Sequence, residues 1–308
     1  MNILITGCCG HIGSYVANNI YKIKKVKKTY LIDNLKSNRF SSLFNSQKKN
    51  NLNFFLLDLN DKKSLNRFKN INIIIHCASM TNAEKSFGKK KEMFKNNLNC
   101  FNTVLNYCKK NNTKLIHLSS TSVYGKQADL VDENCEEEYL KPQSPYAKIK
   151  LLEERILKMN KSKVKFNTFR FGTIAGVSSG IRFHTAVNKF CFNASINEPI
   201  EVYKTALNQY RPYLSLSDAF RVFQFCIEKN FFDNDIYNVL TDNCTVQQII
   251  NKIKKFKKNL KVKLVNSPIM NQLSYHVDGA KLKKKGLILT GNLNKDIKDT
   301  LKLLSNIK

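Results

Sequence analysis

The stretch Ile5–Gly13, ITGCCGHIG, determines the fold that the sequence predicts. It follows the apolar start NILIT and precedes the helix-like run SYVANNIYKIKK, so Gly7, Gly10 and Gly13 lie between a strand and a helix. Glycines at this spacing permit a tight turn and let backbone N–H groups at a helix N-terminus approach a pyrophosphate. The glycine pattern alone is weak, but its strand and helix context is that of a dinucleotide-binding unit.

Apolar runs alternate with helix-compatible runs after this turn. The strand candidates are TYLIDNL, NFFLLDL, INIIIHCAS, KLIHLSS and KVKFNTFRFG, and the helix candidates include KKEMFKNNLNCFNTVLNYCKK and AKIKLLEERILKM. This alternation predicts an α/β protein with βαβ units and a doubly wound parallel sheet of the Rossmann type.

The pattern becomes less regular beyond Gly176, where helix candidates HTAVNKFCFNASI and SDAFRVFQFCIEK flank a strand-like IEVYK. We expect a Rossmann domain over residues 1–173, rejoined by about residues 212–240. Residues 174–308 would then form mainly a smaller C-terminal lobe over the sheet edge at which open α/β sheets bind ligands.

The composition is strongly basic, with 52 Lys and Arg against 23 Asp and Glu and a formal net charge of +29. A nucleic-acid-binding protein concentrates basic residues on one face with aromatic residues among them. Here basic runs such as YKIKKVKK and KLKKKG are spread along the chain, which favours a compositional bias. We therefore do not expect nucleic acid as a partner, although the charge would attract a dianionic nucleotide diphosphate.

The sequence also indicates where the protein is located and whether it binds a metal. No apolar run approaches the roughly 20 residues of a membrane span, and the start MNILITG lacks the basic and apolar regions of a signal peptide. The nine cysteines and five histidines show no metal-ligand spacing. We expect a cytoplasmic protein without a membrane segment or a bound metal.

Two aspartates lie at or near the ends of predicted strands. Asp33 follows the last glycine by about twenty residues, where a carboxylate accepts hydrogen bonds from an adenosine ribose and repels the 2′-phosphate of NADP. An aspartate at the start of an ordinary turn is the alternative. Asp58 and Leu59 end the third strand candidate, where they would cover the adenine or form a turn.

Hydroxyl groups and a tyrosine–lysine pair complete the candidate site. Ser119, Ser120, Thr121 and Ser122 follow a predicted strand and would emerge at the same sheet edge, although hydroxyl clusters often satisfy loop backbone groups. In SPYAKIK, Tyr146 precedes Lys150 by four residues, a spacing that places both on one helix face. Such a pair is either an acid and base or an ordinary exposed helix face.

Taken together, these motifs resemble the extended short-chain dehydrogenases/reductases, and within them the nucleotide-sugar epimerases and dehydratases related to UDP-glucose 4-epimerase. The similarity runs in the family's order through ITGCCGHIG, LIDNL, IIIHCAS, NNLNCFNTV, LSSTSVYG, SPYAKIK, FRFGTIAG and QYRPYLSLSD. It implies a Rossmann sheet with a C-terminal substrate lobe, and NAD as the cofactor.

The resemblance implies a role for each matching residue. It assigns Ser120, Tyr146 and Lys150 as the catalytic triad, with Ser120 chosen because it precedes Val123 by three residues. NAD would be surrounded by Tyr146, Lys150 and a further set of residues: Gly7, Gly10, Ile12, Gly13, Asp33, Asn34, Asp58, Leu59, Ala78, Ser79 and Asn97. Lys150 and the positive nicotinamide ring would favour a phenolate at Tyr146.

The family's dehydratases usually carry acidic residues directly after the catalytic hydroxyl, whereas this chain has Thr121 and Ser122. We therefore expect epimerisation at C4 of a nucleotide-diphosphate sugar through a 4-keto intermediate. A dehydratase, a 4-keto reductase or dehydrogenase, and a non-catalytic nucleotide-binding regulatory protein are the alternatives.

The substrate-binding region matches the family in part. Arg211 matches its phosphate-binding arginine, but Thr173 stands where many relatives have asparagine, and NSPIMNQLSYHVD offers no counterpart for a later arginine. Arg182, His184 and Thr185 would line the sugar or the diphosphate, or belong to a solvated loop. The nucleotide therefore stays open. Relatives are often dimers, so the resemblance implies a homodimer.

Overall fold

A computed structural model of the chain describes residues 1–44, 52–81, 88–127, 130–266 and 274–306. The strands of this described part are β1 Asn2–Thr6, β2 Lys28–Asp33, β3 Leu52–Leu56, β4 Ile73–His76, β5 Lys114–Ser120, β6 Leu130–Val131, β7 Phe166–Phe171, β8 Thr173–Ala175, β9 Ile200–Tyr203, β10 Tyr210–Ser215, β11 Ile236–Val239, β12 Asp242–Thr245, β13 Val262–Val265 and β14 His276–Val277. Each predicted strand is present, but β3 ends at Leu56, so Asp58 lies in the following loop.

The α-helices of the described part are α1 His11–Asn19, α2 Lys90–Asn111, α3 Pro145–Met159, α4 Ala186–Ser195, α5 Leu216–Lys229, α6 Val246–Lys254, α7 Ala280–Lys284 and α8 Leu293–Leu303. Among the described residues, no helix is both long and apolar enough to cross a bilayer.

Seven described strands form one parallel sheet in the order β11-β7-β5-β4-β1-β2-β3. The strand order reverses direction between β1 and β4, which is the switch point at which such sheets open a crevice for a ligand. The predicted α/β class with a Rossmann-type sheet is confirmed.

The two faces of the sheet bury different helices because side chains alternate along each strand. On one face, Ile3 and Ile5 of β1 pack in a core cluster with residues of α1 and α5. On the other face, Leu4 packs in a cluster with Phe101 and Val104 of α2. The central strands are buried on both faces, which explains their continuous apolar sequences.

A third cluster forms the C-terminal lobe. It joins α4, α6 and α8 to β9 and β10, with Val187, Ile249 and Ile297 at its centre. Smaller sheets of order β12-β10-β8 and β13-β9 complete this region, and a further pair joins β14 to β6. The chain returns to the large sheet after β10, because α5 covers the face beside α1 and β11 forms the edge next to β7.

Asp296 of α8 lies near Gly176, which directly follows β8, and near Ser215, the last residue of β10. Its Oδ2 atom is buried and has no hydrogen-bond partner among the described residues. Burial raises the pKa of Asp296 to about 7, and the negative charges of Asp218 and Asp299 act in the same direction, against a hydrogen bond with Ser215 and the charge of Lys295. Ionisation of Asp296 therefore opposes folding.

We predict that Asp296→Asn becomes progressively more stable than the parent as the pH rises from about 4 to about 7. The folded protein holds the Asp296 proton more tightly than the unfolded chain does. This proton therefore contributes fully to the free energy of unfolding of the parent below about pH 4, and the contribution is lost as the pH rises through about 7. Urea unfolding at pH 4, 6 and 8 measures the difference. The neighbouring Asp299→Asn is the control, and a parallel pH profile for both variants would contradict the assignment.

Candidate active site at the carboxyl edge of the sheet

The glycine-rich turn connects β1 to α1 at the switch point. Gly7 has φ +66°, in the left-handed region that glycine adopts without strain. A Cβ atom on Gly13 would lie 2.2 Å from the Gly7 carbonyl oxygen, so no larger residue fits there. The resulting close turn directs the first N–H groups of α1 toward the crevice, an arrangement suited to a pyrophosphate.

Asp33 fixes this turn from the end of β2. Its Oδ2 accepts a hydrogen bond from the Cys9 N–H at 3.0 Å, and its Oδ1 accepts one from the Leu35 N–H at 2.9 Å. An ionised carboxylate has about four acceptor sites. The half-buried Asp33 therefore retains acceptor capacity for two ribose hydroxyls, as the predicted role in dinucleotide binding requires.

Cys8, Cys9 and Asp33 form a cluster that the sequence analysis did not foresee. One ligand atom of each lies within 4.8 Å of the others. A metal ion needs thiolates, but the hydrogen bond with Cys9 and burial both raise the pKa of the Cys8 thiol. The cluster therefore fits a buried contact between the two cysteines, whose sulfur atoms lie 3.8 Å apart, better than a metal site.

The remaining predicted cofactor residues fall into two groups. Ile12 and Ser79 line the large cavity described below, and the Ala78 backbone packs against Gly7. The others, away from the cavity lining, are Asn34, Asp58, Leu59 and Asn97.

Three of these four residues have local structural roles. Asn34 caps the Lys36 N–H, and Leu59 is buried in the core. The side-chain amide of Asn97 accepts a hydrogen bond from the Met80 N–H and donates one to the Met80 carbonyl oxygen.

The fourth, Asp58, is paired with Lys36 at 2.7 Å. Partial burial acts to raise the pKa of Asp58, but the hydrogen bonds from Lys36 and Asn60 lower it to about 2.

Ser120, Tyr146 and Lys150 come from two elements that end or begin at the same edge. Ser120 is the last residue of β5, and its Oγ accepts hydrogen bonds from the Ser122 N–H and Oγ–H. The Ser144 Oγ caps α3 by accepting from the Ala147 N–H at 3.1 Å, and Pro145 occupies the first turn. The first turns of this helix therefore carry Tyr146 and Lys150 to the crevice.

One cavity of about 490 Å³ joins these groups to the glycine turn and to the C-terminal lobe. Its lining includes the following predicted site residues: Gly7, Gly10, Ile12, Gly13, Ser79, Ser120, Tyr146, Lys150, Thr173, Arg182, His184, Thr185 and Arg211. The structure therefore brings the predicted catalytic and substrate-binding residues into one space. Their individual roles stay predictions.

Sequence reasoning missed Tyr213 in this cavity. Its hydroxyl is buried without a hydrogen-bond partner among the described residues, as is the Oγ1 of Thr185. Tyr213 follows Arg211 by two residues in β10, so both point to the same face of the strand. That spacing in RPYLS is the signal that would have identified it.

A family model for the NAD dependent epimerase/dehydratase family matches residues 3–239. The chain belongs to that family. The proteins of this family are enzymes, as the resemblance to the extended short-chain dehydrogenases/reductases predicted.

Several curated proteins are relatives of this epimerase/dehydratase chain. It is similar to a trifunctional UDP-glucose 4,6-dehydratase/UDP-4-keto-6-deoxy-D-glucose 3,5-epimerase/UDP-4-keto-L-rhamnose-reductase of Arabidopsis thaliana, with 28% identity over 97% of this chain and 46% of that protein. It is similar to the ADP-L-glycero-D-manno-heptose-6-epimerase of Brachyspira hyodysenteriae, with 26% identity over 86% of this chain and 84% of that protein. The chain thus spans less than half the length of the Arabidopsis relative.

Solved structures of the same architecture include the UDP-glucose 4-epimerase of Thermus thermophilus in complex with NAD. Its TM-score is 0.82 at 21% identity, with both chains covered completely. A dTDP-glucose 4,6-dehydratase double mutant of Streptomyces venezuelae has a TM-score of 0.87 at 18% identity, over 100% of this chain and 98% of that chain. At such identities these similarities show the fold.

In this chain, Lys150 is held by an acid that the sequence analysis did not identify. Lys150 Nζ donates to Glu153 Oε2 at 2.8 Å, and His117 Nε2 lies 2.9 Å from the same oxygen. Burial acts to raise the pKa of Glu153, but Lys150 and His117 outweigh it and lower the pKa to about 2. Ile149, Glu153 and Leu157 are buried at successive spacings of four, a pattern that could have placed Glu153 on the inner face.

Tyr146 is affected by the same charges. Burial raises the pKa of its phenol, Lys150 acts to lower it, and Glu153 acts to raise it again. The net effect is a pKa above that of an ordinary tyrosine. The phenolate that the resemblance implies at Tyr146 stays a prediction.

We predict that Glu153→Leu lowers the free energy of unfolding by about 3–5 kcal/mol, because it leaves the Lys150 ammonium buried without its partner. The double variant Glu153→Leu/Lys150→Met should lose much less than the sum of the single variants. Urea unfolding of all four proteins gives the coupling energy. The exposed pair Glu137–Arg155 is the control, with coupling of about 0–1 kcal/mol. Additive losses at Glu153 and Lys150 would refute the buried pair.

Proposed function

We propose that the protein catalyses NAD-dependent epimerisation at C4 of a nucleotide-diphosphate sugar. The observation that carries the proposal is the single cavity shared by the glycine turn, by Ser120, Tyr146 and Lys150, and by Arg211 of the lobe. A cofactor, a reacting sugar and a nucleotide diphosphate need one continuous space of this kind. The family match and the NAD complex of a structural neighbour support the choice of cofactor.

Tyr146, Ser120 and Lys150 each have a role in the proposed reaction. Tyr146 removes the proton of the C4 hydroxyl and later returns it, while Ser120 holds the same oxygen by a hydrogen bond. Lys150 keeps a positive charge beside the phenol, since Glu153 and Tyr146 raise its pKa against the effect of burial. NAD would accept a hydride from C4 and give it back to the opposite face of the 4-keto sugar.

Epimerisation is favoured over dehydration by the groups near Ser120. Thr121 is buried and its Oγ1 donates to the Phe171 carbonyl, and Ser122 hydrogen-bonds Ser120 itself. Among the described residues that line the cavity, the acidic one is Glu201. It lies on β9 and forms an ion pair with Lys263. Elimination of water needs an acid and a base beside the sugar, which these positions do not provide.

Dehydration remains the second candidate, because the Arabidopsis relative's name begins with UDP-glucose 4,6-dehydratase. A cofactor-consuming reductase would keep the same triad. A non-catalytic nucleotide-binding protein is the candidate of another class, and it has no need for a tyrosine and lysine facing the cavity.

The nucleotide part of the substrate would meet Arg211, with its guanidinium beside the diphosphate. The predicted lack of a later arginine concerns NSPIMNQLSYHVD, of which residues 267–273 lie outside the described part of the chain. A role in carbohydrate biosynthesis, the homodimer and the cytoplasmic location remain predictions of the sequence.

Proton NMR in D₂O, without added cofactor, tests the reaction against UDP-, dTDP-, GDP- and CDP-sugars. We expect a C4 epimer to form without solvent deuterium in the sugar, because the same hydride returns. Deuterium at C5 with loss of the C6 hydroxyl would establish a dehydratase instead. A requirement for added NADH or NADPH would establish a reductase.

We predict that Tyr146→Phe lowers turnover by about 10²- to 10⁴-fold while the protein stays folded, because the phenol that exchanges the proton is gone. The same NMR assay measures turnover, and circular dichroism checks the fold. Tyr139→Phe, at an exposed tyrosine, is the matched control and should keep full activity. Full activity of Tyr146→Phe would rule out the catalytic assignment.

We predict that Asp33→Ala weakens NAD binding and narrows the preference for NAD over NADP. The variant loses the acceptor for the ribose hydroxyls and also the negative charge that repels a 2′-phosphate. Isothermal titration calorimetry with both dinucleotides measures the two effects, with the exposed Asp61→Ala as control. An unchanged ratio of the two affinities would argue against the ribose contact.

A further inference from the structure

The segment Ser178–Arg182 after β8 is fastened to the glycine turn and to α1 by three contacts. The Gly180 N–H donates to Ser14 Oγ at 2.9 Å. Ser178 Oγ lies 2.7 Å from His11 Nδ1, and Asn18 Nδ2 donates to Ser179 Oγ at 2.8 Å. These hydrogen bonds hold the segment against α1, directly after the glycine turn.

Backbone packing reinforces this attachment. A Cβ atom on Gly180 would lie 2.3 Å from the Cys9 carbonyl oxygen, so the two backbones touch directly. Asn188 of α4 donates to the Arg182 carbonyl oxygen at 3.0 Å, which fixes the end of the segment. The position of Arg182 is thus set by the turn on one side and by the lobe on the other.

The Arg182 side chain lies over the glycine turn, in the cavity. Its Nη2 is 3.5 Å from the place that a Cβ on Gly10 would occupy, and its Nη1 donates to Thr81 Oγ1. Its Nε is buried and has no hydrogen-bond partner among the described residues. A guanidinium has five N–H donors in a planar fork, so most of its capacity is left for a ligand.

The partly buried Arg182 also differs from the buried Arg170 in its ionic partners. Arg170 forms a two-point ion pair with Glu154. In the described part of the chain, no carboxylate lies within ion-pair distance of Arg182. Burial and the like charge of Arg39 lower the pKa of Arg182 to about 10, which leaves it positive at neutral pH. A partly buried cation without a counter-ion, beside helix-end N–H groups, is suited to an anion.

We propose that Arg182 binds the pyrophosphate of the dinucleotide, and not the diphosphate of the sugar substrate. The inference rests on the proposed function and changes the substrate role that the sequence suggested for this residue. The guanidinium lies beside Gly10, which directly precedes the first residue of α1, so a pyrophosphate at the turn would meet both the fork of donors and the helix-end N–H groups. Arg211, on β10, is left for the nucleotide of the substrate.

Calorimetric titration of the full chain, freed of bound nucleotide, tests the assignment. The ligands are NAD, ADP-ribose, adenosine and UDP, and the proteins are the parent, Arg182→Leu, Arg182→Lys and Arg211→Leu. We expect Arg182→Leu to weaken the binding of NAD and ADP-ribose by about 10- to 100-fold, because charge-assisted hydrogen bonds are lost. The affinities for adenosine and UDP should not change. Arg182→Lys should recover part of the loss, since it restores charge without the fork. Arg211→Leu should weaken UDP and leave NAD unchanged.

Two results would overturn the assignment. The first is parent-like NAD affinity of Arg182→Leu together with weaker UDP binding, which would return the residue to the substrate. The second is a parent that binds neither NAD nor UDP, which would reject the proposed function itself. If Arg182→Leu fails to fold, Arg182→Lys decides: unchanged NAD affinity in 50 and 200 mM salt would refute the contact.

Discussion

The close approach of backbones in the glycine turn is the constraint on which the site depends. Gly13 has no room for a Cβ against the Gly7 carbonyl, and Gly180 has none against Cys9. The first contact aims α1 at the crevice, and the second brings a segment of the C-terminal lobe to the same place. A hydrogen bond from the Cys9 N–H to Asp33 then ties β2 to the turn. The end of the site proposed to bind a dinucleotide is therefore built mainly from backbone geometry.

The reacting end is built from buried charge. Lys150, Glu153 and His117 form a hydrogen-bonded network beneath Tyr146, in a region where an unpaired ion would be costly. The network fixes the ammonium group in one position, and it also supplies a negative charge that opposes ionisation of the phenol. Burial and this carboxylate thus raise the pKa of the proposed base, whereas Lys150 and Arg182 act to lower it.

The first five strands of the sheet were predictable because their apolar runs are continuous and separated by helical periods. Strands of the lobe, such as Thr173–Ala175, are short and pair with partners far away in the chain, about which local propensity carries no information. The site residues divide in the same way. Ser120 and Tyr146 belong to local motifs whose strands and helices meet at one sheet edge, so their shared cavity was foreseeable. Glu153 looks like an ordinary acid in a charged helix until His117 of β5 is brought against it.

The return of the chain to the large sheet after the lobe has a consequence for synthesis on the ribosome. Until α5 and β11 emerge, the nascent chain has one face of its sheet only partly covered, with Phe169 and Phe171 lacking Phe223 as a neighbour. Residues as late as Val239 are needed to close that face. The amino-terminal strands therefore cannot complete this face until residues as late as Val239 have left the ribosome, and a nascent-chain chaperone would find exposed aromatic rings during that interval.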